Sequence, residues 1–148
     1  MRALIKKVAV LSCLNEFILP IRVYYEDTDA GGIVYHANYL KFMERARTEW
    51  LRSLGMEQDA LAQQGFLFVL SQLSINYRKP ALFNEQIYVS STLTECHKAS
   101  MLFNQQIWRQ NQADARELLA DGSVKVVCIT QDTRRPTPLP PAIRNLIP

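Results

Sequence analysis

Only one stretch of this chain carries helical periodicity over several turns, and that restricts the fold more than any other feature. Across residues 38–54, Tyr39, Met43, Ala46, Trp50 and Leu54 follow the i, i+3, i+4 spacing of one apolar face. Lys41, Glu44, Arg45, Arg47, Glu49 and Arg52 mostly occupy the other faces. Gly55 supplies a stop, and residues 56–64 read as a short second helix ended by Gly65. Everything beyond is extended. Residues 66–77, 86–94, 101–110 and 123–130 are rich in aromatic and β-branched side chains, with polar breaks between them, and a further strand at 21–25 precedes the helix. Strands that follow one another without intervening helices predict an α+β fold: a five-stranded antiparallel sheet wrapped around one long central helix.

The 148 residues suit one domain that buries its core without disulfides or a structural metal. That domain is expected at 17–135, after an N-terminal extension at 1–16 and before a proline-rich tail at 136–148. Pro136, Pro138, Pro140 and Pro141 prevent the tail from continuing a strand, so it is expected to run over the surface. The start of the chain imitates a secretory leader: Arg2, Lys6 and Lys7 precede an apolar run that ends Val10-Leu-Ser-Cys13. That run is short and lacks a convincing small-residue cleavage site, and no stretch is long enough to span a membrane. Cys13, Cys96 and Cys128 form no C-x-x-C pair and read as reduced structural thiols, which places the protein in the cytoplasm. A net charge of +3 suits an anionic ligand but is too small and dispersed to argue for nucleic acid.

The chemistry-bearing segment is Asp27-Thr-Asp-Ala-Gly-Gly-Ile-Val-Tyr-His36, lying between the first strand and the long helix. Acidic groups at a strand end, paired glycines and a helix start together make a site at which a ligand can meet backbone N–H donors. Asp29 can act as nucleophile or general base, or it can simply cap a turn. His36 can serve the same pocket, or satisfy a carbonyl at the start of the helix. Gly31 and Gly32 can supply unusual backbone angles, and they also leave room for close approach of a substrate. Tyr24, Tyr25 and Tyr35 are read as packing groups, and Glu44 and Arg47 as a surface pair on the helix. An apolar strand before Asp27-x-Asp29 also resembles the nucleophile motif of haloacid-dehalogenase-type phosphatases. That chemistry requires magnesium and alternating strands and helices, which the strand-rich second half does not provide.

The order of elements, with Val23-Tyr-Tyr-Glu-Asp-Thr-Asp-Ala-Gly-Gly-Ile-Val-Tyr-His-Ala-Asn-Tyr39 and Glu44-Arg-Ala-Arg47, closely resembles the hotdog-fold thioesterases. Within them it resembles the YbgC-type acyl-CoA thioesterases associated with the Tol-Pal system, which are similar to 4-hydroxybenzoyl-CoA thioesterase. The resemblance covers residues 17–135 and implies hydrolysis of an acyl-CoA to free acid and coenzyme A. It places Asp29 as the catalytic carboxylate and His36 as a second catalytic residue. No metal or redox cofactor is implied, coenzyme A entering only as part of the substrate. Arg78, Lys79, Lys98, Arg109, Arg134 and Arg135 are the cations available to its phosphates. The same resemblance implies a homodimer, doubled into a tetramer, with each pocket lined by both subunits. The alternative is a module that binds acyl-CoA or acyl carrier protein without turnover. An intact Asp29, Gly-Gly pair and His36 argue against it. A hotdog dehydratase would carry a His-Phe-Pro type segment, which this chain lacks.

Overall fold

The computed structural model describes residues 16–146. Its strands are β1 (Glu16–Arg22), β2 (Phe66–Tyr77), β3 (Gln86–Cys96), β4 (Ser100–Gln110) and β5 (Arg116–Thr130). Its helices are α1 (Asn38–Ser53), α2 (Gln58–Gln63) and a single turn, α3 (Pro141–Arg144). One five-stranded sheet has the order β1-β3-β4-β5-β2, and every neighbouring pair is antiparallel. The arrangement confirms the α+β hotdog architecture and excludes the parallel sheet that the phosphatase reading needs.

Two periodicities meet in the core. On β4, Met101, Phe103, Gln105 and Ile107 point inward while Asn104 and Gln106 face solvent, the period of two that a half-buried strand requires. Against this face lies α1, with Tyr39, Phe42, Met43, Ala46, Trp50 and Leu51 buried. Fully burying a large apolar side chain contributes about 1.5–3 kcal/mol, so this one stripe supplies much of the force that seats the helix. Leu54, assigned to the apolar face by spacing, is only half-buried; Phe42 and Leu51 are buried in addition. The sheet curls round the helix, and a curled partner covers a wider stripe than a flat one.

Three sequence expectations need correction. The first strand is Glu16–Arg22 rather than 21–25, because pairing with β3 extends from Glu16 opposite Thr92 to Arg22 opposite Gln86. The chain then tightens into a 3₁₀ turn at Tyr25–Asp27. The last strand starts at Arg116 rather than 123, since Asp121-Gly122 is not a break. A Cβ at Gly122 would lie 2.2 Å from the carbonyl oxygen of Ser74, so the missing side chain is what lets β2 pair there. Finally, the tail is strapped down rather than draped over the surface. Leu139 and Ile143 are buried, and the N–H groups of Thr137 and Leu139 donate to the carbonyls of Cys128 and Lys98. Cys96 and Cys128 are free thiols whose pKa burial pushes up, as suits small packing groups. Cys13 and the extension, apart from Glu16, lie outside the described residues.

Candidate active site

The Asp-Gly-Gly segment folds into a small hairpin. A bridge between Thr28 and Val34 closes it, the N–H of Asp29 donates to the carbonyl of Ile33 (2.9 Å), and that of Gly32 donates back to the carbonyl of Asp29 (3.1 Å). A second bridge, Ile33 to Leu82, fastens the hairpin to the segment before β3. Asp29 therefore sits near the tip of a braced loop, exposed in the single chain. Its Oδ1 accepts the N–H of Gly31 at 2.8 Å, while Oδ2 takes no hydrogen bond among the described residues. One oxygen is positioned and the other is available.

The two glycines do different work. Gly32 has φ of 76°, a region that costs any other residue strain. Gly31 leaves room beside the carboxylate: a Cβ there would lie 3.2 Å from Asp29 Oδ1, close enough to displace that oxygen by a few tenths of an ångström.

Asp27 and Asp29 are easily confused in sequence and differ completely in structure. Asp27 is buried. Its Oδ2 accepts the N–H of Tyr24 at 2.8 Å and its Oδ1 accepts Nδ2 of Asn38 at 3.0 Å, Asn38 being the first residue of α1. This carboxylate locks the loop to the start of the helix. The Asp27–Asn38 pair is a functional support that the sequence reading missed; its only trace in sequence is a polar residue at each end of the motif.

His36 is exposed, its ring against that of Tyr35 with centroids 4.4 Å apart. Its carbonyl accepts the hydroxyl of Tyr77 at 2.7 Å, and the Tyr77 ring meets that of Tyr39 edge-on at 5.4 Å. Tyr39 in turn accepts the N–H of Ala81 at 3.0 Å through its hydroxyl oxygen, and burial pushes the pKa of this phenol up. His36 lines an open cavity of about 270 Å³ with Val34, Tyr39, Tyr77 and Arg78. Asp29 does not line it, and no hydrogen bond joins Asp29 to His36. The hairpin brings both to the same end of the fold without joining them.

Half of the candidate phosphate ligands already have partners. Arg78 pairs with Asp121, Lys79 with Glu117, and Arg109 with both Glu85 and Glu117. Hydrogen bonds from Lys79 and Arg109 hold the Glu117 carboxyl at about 2, so it is ionised throughout the neutral range. Lys98, Arg134 and Arg135 make no ion pair among the described residues. No helix there is long and apolar enough to cross a membrane. Tyr24, Tyr25 and Tyr35, read as packing groups, are exposed, and Tyr25 meets Phe83 edge-on at 6.1 Å.

A curled antiparallel sheet around one helix, with an acidic glycine hairpin at the helix start, defines a hotdog-type protein. Comparison with known proteins narrows this. Residues 23–147 match the model of the thioesterase-like superfamily. The acyl-CoA thioesterase YbgC of Haemophilus influenzae is 40% identical over 131 residues, 88% of this chain and 93% of that one. The acyl-CoA thioester hydrolase YbgC of Escherichia coli O6:H1 is 39% identical over 127 residues, 86% and 92% of the two chains. Among solved structures, a 1,4-dihydroxy-2-naphthoyl-CoA thioesterase from Synechocystis superposes with a TM-score of 0.81 at 28% identity, covering 89% of this chain and 95% of its own. The chain belongs to the YbgC acyl-CoA thioesterases of the thioesterase-like superfamily.

Proposed function

We propose that Asp29 carries out the thioester cleavage of this protein, with His36 assisting at the carbonyl or the departing thiol. The protein is an acyl-CoA thioester hydrolase, releasing a free acid and coenzyme A. The observation that supports the role of Asp29 is its half-committed carboxylate: Oδ1 is fixed by Gly31 on a braced hairpin, and Oδ2 is open. A carboxylate oxygen in that position can attack the thioester carbon, expelling the thiolate and leaving an anhydride that water opens. It can equally take a proton from a water that attacks directly. Both routes end in the same products and neither requires a metal or redox cofactor. The reading is tested with a panel of acyl-CoA esters, following thiol release; a pure, folded protein that releases no thiol from any of them overturns it.

His36→Ala is expected to lower kcat by about 10²-fold, the scale of losing one group that stabilises the developing oxyanion, with little change in KM. Steady-state kinetics decide. A raised KM at unchanged kcat makes His36 a binding group only, and no change returns it to a structural role.

The catalytic unit we propose is a homodimer, doubled into a tetramer, working in the cytoplasm. Edge strand β2 supports this reading, since Val69 and Leu70 on it are exposed in the single chain. An apolar edge left open invites pairing with a second copy, which would extend the sheet. Light scattering should report a dimer or a tetramer, and a stable, fully active monomer would refute both the assembly and the shared pocket. Acyl carrier protein is the alternative carrier of the acyl group; hydrolysis of acyl-CoA but not of the matching carrier-bound thioester would remove it.

A further inference from the structure

The imidazole of His36 is exposed, and neither of its ring nitrogens makes a hydrogen bond among the described residues. A working histidine is ordinarily oriented through the ring nitrogen that is not in use, by a carboxylate or a carbonyl. His36 is held instead from one ring face and from its main chain. The ring lies against Tyr35, centroids 4.4 Å apart and planes tilted by 52°. Its carbonyl, just ahead of α1, accepts the hydroxyl of Tyr77 at 2.7 Å, a bond that joins residues 41 apart in sequence. That bond fixes the plane of the peptide between His36 and Ala37. The backbone angles so set decide which side-chain rotamers are open to the imidazole.

Tyr77 can serve as a fixed point because it is itself held. It is the last residue of β2, opposite Ala120, and the N–H groups of Arg78 and Lys79 beyond it both donate to the carbonyl of Leu119, at 2.8 and 3.1 Å. Its ring meets the buried ring of Tyr39 edge-on at 5.4 Å. Tyr39 is pinned in turn, its hydroxyl oxygen accepting the N–H of Ala81 at 3.0 Å, while the carbonyl of Ala81 takes the N–H of Val34 at 2.9 Å. The end of β2, the start of α1 and the returning arm of the Asp29 hairpin are thus tied together at one place. Burial pushes the phenol pKa of Tyr77 up, so at neutral pH the hydroxyl keeps the proton that it donates.

We infer that Tyr77 is a positioning residue for thioester cleavage: its hydroxyl, bonded to the His36 carbonyl, sets the imidazole at the open cavity that both residues line and leaves both ring nitrogens free. The inference rests on the catalytic reading of His36 above. In this role Tyr77 touches no reacting atom. Its loss is a loss of geometry, felt in kcat rather than KM, and felt only while an imidazole is there to be placed.

The test is a double-mutant cycle, read by thiol release from whichever acyl-CoA of the panel the wild-type protein cleaves best. Tyr77→Phe removes one oxygen and keeps the ring that packs on Tyr39. It should lower kcat by about tenfold, less than the roughly 10²-fold that a 1 Å misplacement costs. KM should stay within about twofold of wild type. Introduced into His36→Ala, the same change should cost less than about twofold, because residues that act through one another are not additive. Equal losses in the two backgrounds overturn the inference, since the hydroxyl then acts without the imidazole. A raised KM at unchanged kcat, or wild-type kinetics in Tyr77→Phe, overturns it too. If His36→Ala itself keeps wild-type kcat, the catalytic reading of His36 has failed; a loss there with an additive loss from Tyr77→Phe defeats only the part given to Tyr77.

A second readout needs no turnover. The chain has two histidines, His36 and His97, so selective labelling gives two sets of ring signals in an NMR spectrum. The His36 ring protons lie in the ring-current field of Tyr35, and their shifts therefore report where the imidazole sits. His97 bonds Glu95 at 2.9 Å beside the β3–β4 turn. The row of paired residues next to that turn runs from Cys96 through Met101 and Val126 to Leu70, at the other end of β2 from Tyr77. In Tyr77→Phe the His36 signals should move and those of His97 should stay in place. Unmoved His36 signals overturn the inference. Movement of both histidines alike, or loss of the fold, makes Tyr77 a structural residue and overturns it as well.

Discussion

Asp29→Asn is expected to reduce kcat by about 10²- to 10⁴-fold, the range for loss of a group that performs acid–base work. Asparagine has the same shape, and its Oδ1 still accepts the N–H of Gly31, so the hairpin and the fold should persist. Only the charge and nucleophilicity of the open oxygen are removed. Asp27→Asn supplies the contrast. Both oxygens of Asp27 accept from donors, the N–H of Tyr24 and the amide of Asn38, and an asparagine must turn its own amide towards one of them. That mismatch should cost about 1–3 kcal/mol of stability, with a smaller effect on turnover than at Asp29. Thiol-release kinetics and thermal unfolding on both variants separate the two roles. A folded Asp29→Asn protein with wild-type turnover would remove Asp29 from the mechanism. Equal losses at both positions, together with inhibition by EDTA, would point to a metal-binding pair.

Gly122→Ala should be among the most destabilising single substitutions in the chain, although it adds only one methyl group. The added Cβ would lie 2.2 Å from the Ser74 carbonyl oxygen and 3.3 Å from Cα of Ile75. Both neighbours are backbone, so no flexible side chain can yield. Gly122 is held on both sides, opposite Ile75 in β2 and Gln105 in β4. Relief requires β2 to lift from the sheet, at an expected cost of about 3 kcal/mol, the upper end of ordinary overpacking. At about 2–4 °C per kcal/mol for a domain of this size, Tm should fall by roughly 6–12 °C. A melting curve within a degree or two of wild type would show that the strands reach one another differently.

Much of the architecture was legible because hydrophobic period is a local property. The i, i+3, i+4 spacing from Tyr39 to Trp50 could only be a helix with one buried stripe, and β2 was read to both of its ends, Phe66 and Tyr77. The misreadings are equally instructive. The last strand was read only from Ser123, after a polar break at 111–114, yet it begins at Arg116, and pairing on both sides of Gly122 carries it through a residue that disfavours strands. The tail looked free because proline cannot join a ladder, but Leu139 and Ile143 need only a hydrophobic surface to bury themselves.

By itself, the order of residues determined the α+β class, the central helix and the ten-residue segment that holds Asp29 and His36. It did so because periodicity, turn chemistry and the motif all lie within short stretches of chain. Tertiary structure alone supplied the physical difference between the two aspartates, by burying Asp27 against Asn38 and leaving Asp29 exposed. It alone turned Arg47 inward to Gln105, 58 residues away in sequence. Burial and hydrogen-bond partners depend on what the rest of the chain brings into contact, and no local pattern records that.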